Sequence, residues 1–140
     1  VFANSKKESE MADQAALEQK YAPVGQVISD FAEHGAKIDG IFMDGEKLVL
    51  KATVPSKVIG NRAWDATKEV DPEYADFELQ LTQSGGDDQP YTIKSGDNLS
   101  KVSKLFYGDA AHYTKIAEAS GIDNPDHIQV GQEVTVPALG

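Results

Sequence analysis

Apolar and polar positions along the chain change period several times, and each change marks an element. Leu17, Tyr21, Val24, Ile28 and Phe31 recur near the 3.6-residue period of a helix. Pro23 interrupts that run; the residue before a proline disfavours helical angles, so a new helix starts there or one helix kinks. Val24, Val27, Ile28 and Phe31 then form a single apolar stripe, and Gly35 ends it. The stretch "IDGIFMDGEKLVLKATVPS" turns to strand character. Asp44-Gly45 between two apolar runs predicts a hairpin with a two-residue type I′ turn, because such turns need positive φ. After it, Leu48, Leu50, Ala52 and Val54 alternate with Lys47, Val49, Lys51 and Thr53, as in a half-buried strand. Ser56 after Pro55 caps a further helix with Ile59, Ala63, Ala66 and Val70 on one face. "VDPEY" breaks it, and Phe77, Leu79 and Leu81 alternate with Asp76, Glu78 and Gln80 in a last strand. The order αββαβ, with two helices on one sheet face, is an α+β sandwich.

A polar connector follows. "SGGDDQP", Ser84 to Pro90, pairs glycines and aspartates with a proline and has little to bury. It divides the chain into a polar, acid-rich segment at 1–13, a first domain at 14–83, the linker 84–90 and a second domain at 91–140. In the second, "YTIK" reads as a strand and "SGD" as a turn. Asn98 or Asp97 caps a helix whose Leu99, Val102, Leu105 and Phe106 share a face. Gly108 stops it, and Asp109 caps a second helix carrying Tyr113, Ile116 and Ala117, closed by Gly121. Val134 and Val136 alternate in a closing strand. This βααβ order pairs its strands antiparallel if the helices fold back over one face, around a thin core.

Composition narrows the chemistry. The 140 residues fit one ordinary domain or two small ones, and 40% hydrophobic with 26% charged residues is normal for a soluble globular protein. No apolar run approaches the roughly 20 residues of a membrane span. Without cysteine there is no disulfide, thiolate nucleophile or zinc-thiolate site. That fits a reducing cytoplasm without excluding an oxidising compartment. Thirteen basic against 23 acidic residues, a formal charge of −10, argue against nucleic acid or anionic membrane as the partner and leave cations, neutral sugars and basic proteins. Neither half hides a basic face: residues up to Ser84 carry 9 basic and 15 acidic groups, and Gly85 onward carries 4 and 8. The first residue, Val1, implies that something upstream was removed, and "VFA" has the small residues of a signal-peptide end.

Catalytic and side-chain metal motifs are missing from the sequence. It holds no G-x-S-x-G elbow, P-loop or HExxH, and the Asp87-Asp88 pair lies in the connector, where no rigid geometry can hold a substrate. The chain therefore reads as a non-enzyme. "DGEK" and "DNPDH" do not approach EF-hand spacing, and His34, His112 and His127 are scattered without ligand spacing. Trp64 falls off the Ile59/Ala63/Ala66 stripe, at a core edge or toward the second domain.

The second domain resembles the LysM family on "YTIKSGDNLSKVSKLFYGD…YTKIAEAS…IDNPDHIQVGQEVTVP". Its marks are Tyr91-Thr92-Ile93 in the first strand, Gly96-Asp97-Asn98-Leu99 at the turn into the helix, and Gly131-Gln132 before the last strand. The resemblance implies a shallow groove for N-acetylglucosamine-containing glycans between two loops. Its candidate residues are Gly96, Asp97, Asn98 and Leu99 in the first loop, and Ile122, Asn124, Pro125 and Ile128 in the second. Ile122, Pro125 and Ile128 would supply an apolar wall, while Gly96, Asp97 and Leu99 also suit the turn, the cap and the core.

The first domain resembles the BON family from about Gln14 to Gln83, with departures. Ala52 and "DPEYAD" stand where that family has glycines. BON followed by LysM resembles the small bacterial potassium-binding proteins. This implies a soluble, cytoplasmic, monomeric protein that binds the potassium ion and changes its inter-domain arrangement. The alternative is a module that binds peptidoglycan in the periplasm or cell envelope, if a signal peptide was removed upstream. Potassium asks for oxygen ligands at generous distances, often backbone carbonyls. The candidates are the carbonyls of Glu69, Val70, Asp71, Glu73 and Tyr74 in "EVDPEYA", together with the polar N-terminal segment. The same stretch also reads as a plain helix-ending turn.

Overall fold

The computed structural model describes residues 13–139. All of the polar segment at 1–13 except Asp13 lies outside them. The described chain divides into two compact units: residues up to Val54 with Ala63–Thr82, and Pro55–Arg62 with Gln83 onward.

In the first unit, helix α1 runs to residue 20 and α2 spans Ala22–Asp30. Pro23 stands in the first turn of α2, where its missing N–H leaves no helical bond unmade. The two helices therefore meet at Tyr21, whose N–H reaches the Leu17 carbonyl at 2.9 Å while its own carbonyl accepts from Val24 at 3.0 Å. Val24, Ile28 and Phe31 are buried as the stripe requires, and a 3₁₀ turn, Ala32–His34, leads to Gly35. The sheet follows as β1 (Lys37–Asp44), β2 (Lys47–Val54) and β3 (Phe77–Gln83), in the order β1-β2-β3. Helix α3, Lys57–Val70, connects β2 to β3; its residues from Ala63 on belong to this unit and those up to Arg62 to the second. Its N-terminus is held by Ser56, which is buried and accepts the Ile59 N–H at 3.3 Å.

The hairpin differs from the expected type. Asp44 pairs with Lys47, so the two turn residues are Gly45 and Glu46, and only Gly45 has positive φ, at 63°. A type I′ turn needs positive φ at both positions; positive φ at the first alone is the type II′ pattern, with glycine where it is required. Val49 also departs from the alternation: it is as buried as Leu48 and Leu50 on the opposite face, because β2 is the central strand with neighbours on both sides.

The second unit carries β4 (Gln89–Thr92), α4 (Leu99–Tyr107), a 3₁₀ turn (Ala110–His112), α5 (Tyr113–Ser120) and β5 (Glu133–Val136). β4 and β5 pair antiparallel, Gln89 with Val136 through Thr92 with Glu133. The first strand thus begins two residues before Tyr91, inside the stretch read as connector. Asn98, not Asp97, caps α4, accepting the Lys101 N–H at 2.8 Å. Leu105, expected on the core face, is exposed, while Ser103 is buried with its hydroxyl donating to the Asp109 carbonyl. A serine can take a core position when its one polar group is satisfied locally. Asp109 caps the 3₁₀ turn through the Ala111 N–H, and α5 starts only after it. Among the described residues no helix is long and apolar enough to cross a membrane.

Tyr21 joins the helix junction to the start of β3. It is buried, its ring stacks on Phe77 with centroids 4.1 Å apart, and its hydroxyl donates to Oδ1 of Asp76. Lys20 reaches the other oxygen of Asp76 at 2.9 Å and Asp71 at 3.4 Å. Burial, reinforced by the Asp76 bond, pushes the Tyr21 phenol up to about 12. The Tyr21 bond, helped by Lys20 against partial desolvation, holds the Asp76 carboxyl below its ordinary range. Asp76 therefore contributes stability above the unfolded carboxylate pKa of about 3.9, lost as pH falls through its lower folded value; Tyr21 contributes below about 10, lost as pH rises through its folded value. Tyr21→Phe keeps the stack and removes the bond. It should destabilise the protein by about 1–1.5 kcal/mol near neutral pH, less than a fully buried charged bond because Asp76 is partly exposed. In thermal melts across pH, the gap between wild type and Tyr21→Phe should stay constant from pH 5 to 9 and close below about pH 4. A gap that does not change in acid would show that Asp76 is not its source.

Candidate functional site

Two regions carry the candidate residues, one in each unit. In the second unit the two candidate loops leave the same end of the β4–β5 pair. The Ile93 N–H donates to the Gln132 carbonyl and the Gly131 N–H to the Ile93 carbonyl, both at 2.8 Å, so the feet of the loops stand side by side. Gly96 and Gly131 turn these feet with φ of 87° and 89°, values a side chain would strain.

Most polar side chains of this region are committed to holding the loops themselves. Asp97 Oδ2 accepts from the Tyr91 hydroxyl at 2.6 Å and the Lys94 N–H at 2.8 Å. Asn98 caps α4, and the Lys101 ammonium bonds the Gly96 carbonyl at 2.9 Å. In the second loop Asn124 Oδ1 accepts the Asp126 N–H at 3.0 Å, and Gln132 Oε1 accepts the Gln129 N–H at 3.0 Å. Leu99 is fully buried and can offer a ligand only its backbone. Gly96 and Asn98 are exposed, and Ile122, Pro125 and Ile128 are half-buried, as a sugar-facing wall needs. Val130 was not among the candidates, yet at 70% it is the most exposed large apolar side chain among the described residues. Its place between Gln129 and Gly131, at a loop foot, was the available signal.

In the first unit, α3 ends at Val70 and the chain turns through Asp71–Asp76 into β3. The last carbonyls of a helix have no intrahelical donor, which places Glu69 and Val70 at such an end. Asp71 closes the turn twice over: its Oδ1 accepts the Glu73 N–H at 3.0 Å and its carbonyl accepts the Tyr74 N–H at 3.1 Å. The Tyr74 carbonyl accepts from Phe77 at 3.2 Å. Tyr74 sits at φ 32°, the one non-glycine residue with positive φ among the described residues. A bulky residue there is strained, and such strain persists where surroundings dictate it. The ring of Trp64, half-buried, lies 5.8 Å from that of Tyr74.

Against this turn lies a cation that sequence spacing could not reveal. The Lys20 ammonium bridges Asp71 and Asp76, 51 and 56 residues away in sequence, and those bonds raise its pKa above the ordinary lysine value. Of the predicted ligands the structure thus links Asp71 with Glu73 and Tyr74 through the turn, while Glu69 is exposed on the last turn of α3. Among the described residues no group of three or more His, Asp or Glu side chains is placed to hold a metal ion. A cation held here would rest on carbonyls.

Residues 91–137 match the LysM domain family, and the second unit contains that domain. An uncharacterized protein of Deinococcus radiodurans is 50% identical over 50 residues, 36% of this chain and 20% of its own. An esterase of Mycobacterium tuberculosis is 49% identical over 47 residues, 34% of this chain and 10% of its own. The potassium binding protein Kbp of Escherichia coli is 49% identical over 51 residues in the LysM region, 35% of this chain and 34% of its own. The chain thus spans about a third or less of the length of these curated relatives. The likeness is to a binding module rather than to a catalytic one.

Because Asp97 bonds both Tyr91 and Lys94, Asp97→Ala should lower the stability of the second unit by about 1–3 kcal/mol, the cost of unpairing partly buried groups. Val130→Ala should leave it within about 0.5 kcal/mol. Urea unfolding followed by amide exchange of β4 and α4 checks both. Equal effects would contradict the assignment of Asp97 as a loop brace.

Proposed function

We propose that this chain is a non-enzymatic potassium-binding protein, with a BON-like unit at 14–83 joined through 84–90 to a LysM domain at 91–140. In this reading K⁺ rests on the backbone carbonyls of Glu69, Val70, Asp71, Glu73 and Tyr74, and its binding alters the arrangement of the two domains. The observation that carries it is the turn after α3, strained at Tyr74 and closed by Asp71, against which a monovalent cation, the Lys20 ammonium, already rests. Support also comes from the likeness of the LysM region to a protein named for potassium binding and from the order of the first domain, helices broken at Tyr21, two strands, a helix and a strand. A monovalent ion can shift only an element already near balance, and the 84–90 connection is the candidate for one. A cytoplasmic location accompanies this reading.

A second reading has its own observation. The LysM match, with exposed Val130 beside half-buried Ile122, Pro125 and Ile128, favours a peptidoglycan-binding module of the cell envelope. Recognition would then fall to backbone groups and this apolar wall, since Asp97, Asn98 and Asn124 are engaged within the loops.

Trp64, the only tryptophan, lies beside Tyr74 and reports on the turn. Titrating desalted protein with KCl, and with NaCl at matched ionic strength, should give a saturable emission change selective for potassium. Pro72→Gly with Glu73→Gly should weaken it at least about tenfold by loosening the preset carbonyls. Asp87→Asn with Asp88→Asn should leave it unchanged, since exposed charges are screened beyond about 8 Å. No potassium-selective change, together with co-sedimentation on purified sacculi, would give the second reading the field.

A further inference from the structure

Three of the six exposed large apolar side chains among the described residues, Ile38, Ile41 and Phe42, lie within five residues on β1. β1 is also an edge: among the described residues it pairs with β2 and with no strand beyond it. A bare edge presents a row of backbone donors and acceptors ready to pair with another strand. What β1 can pair with is set by its bulge. The register shifts between Ile38 and Gly40, so Asp39 drops out of the ladder and seven paired positions remain, from Lys37 to Asp44, with Ile41 at their centre.

The bulge also decides which residues share a face. Ile38, Ile41 and Met43 stand opposite Ala52, Leu50 and Leu48, on the buried side of the sheet. Lys37, Gly40, Phe42 and Asp44 stand opposite Thr53, Lys51, Val49 and Lys47, on the other side. Two copies of one strand pair antiparallel about a two-fold axis normal to the sheet, so every residue keeps its face. A register centred on Ile41 meets that condition throughout. Ile38 then faces Met43 of the second copy, Ile41 faces its twin, Phe42 lies against Gly40, and Lys37 meets Asp44 at both ends. Without the bulge Lys37 and Asp44 would point to opposite faces and could not meet.

We propose that β1 is a self-association edge, through which two copies of this chain pair antiparallel about Ile41 into a six-stranded sheet. Opposite charges at both ends and apolar pairs on the buried side specify the second copy over an unrelated strand. The formal charge of −10 on each copy and the small area of a strand edge make the dimer a transient one, populated at high concentration and departing there from the monomer expected from sequence.

Sedimentation velocity of the full chain, from micromolar to about millimolar in ~0.15 M salt where long-range repulsion is screened, tests this. The mass should rise toward the dimer. Lys37→Asp alone or Asp44→Lys alone places like charges together at both ends and should weaken association at least about tenfold. The double swap should restore it to within about threefold, whatever each change does to the monomer. Ile41→Lys, at a residue 38% exposed, should abolish association with circular dichroism unchanged. A chain that stays monomeric at every concentration, a double swap that fails to restore, or a dimer indifferent to Ile41→Lys would each overturn the proposal.

Discussion

Tyr21 makes two demands at once: its ring belongs in a core, and its hydroxyl cannot be buried without a partner. Both are met by consecutive residues, Asp76 for the hydroxyl and Phe77 for the ring, at the beginning of β3. Asp76 in turn gives its carbonyl to the Leu48 N–H at 3.0 Å, which brings the beginning of β2 to the same place. The neighbouring Lys20 reaches past Asp76 to Asp71, just after α3. One helix junction thereby fixes a sheet strand, the central strand beside it and the turn that leads from helix to sheet. The candidate cation turn inherits its position from this arrangement rather than from its own few residues.

The LysM unit solves a similar problem with fewer residues. A two-stranded sheet is marginal by itself and needs helices on its face. Tyr91 serves both needs, with its ring edge-on to Phe106 of α4 at 5.5 Å and its hydroxyl on Asp97 in the loop between strand and helix. At the other end of the chain, the Tyr107 hydroxyl donates to the Pro137 carbonyl, tying α4 to the residue after β5; burial, with the nearby Asp88 charge, raises that phenol's pKa. Each unit is closed by a tyrosine that is apolar toward the core and polar toward a loop.

The regular elements were legible because their signals are local. The stripes of α2 and α3, the alternation of β2, β3 and β5, and the caps at Ser56 and Asn98 all rest on period or on a side chain bonding its own backbone. What escaped depends on packing that residue type alone does not record. Val49 is buried on the face the alternation leaves outward, on the strand flanked on both sides. The i+4 place of the α4 face falls to Ser103, its hydroxyl on the Asp109 carbonyl, while Leu105 stands off that face. Asp97 and Asn98 looked interchangeable as caps, and only the position of Tyr91 separates brace from cap. The turn after α3 was visible as "VDPEY", but the strain at Tyr74 and the arrival of Lys20 carry no spacing that a reader could count. Carbonyl ligands leave no trace in residue type at all.

The two candidate regions differ in how much of their chemistry remains uncommitted. In the LysM loops Asp97, Asn98, Asn124 and Gln132 spend their side chains on the backbone of the loops themselves. In the turn after α3 the acids are engaged by an ammonium, and that engagement is weak. Lys20 keeps 40% of its side-chain surface exposed, and the facing carboxylates keep 31% and 34%. Exposed ion pairs of this kind gain little over hydration and are further weakened by salt. The ammonium is therefore lightly held at this turn. The local shape of the turn rests on the Asp71 bonds and the constrained Tyr74, while its place beside the helix junction follows from Tyr21, Phe77 and Lys20.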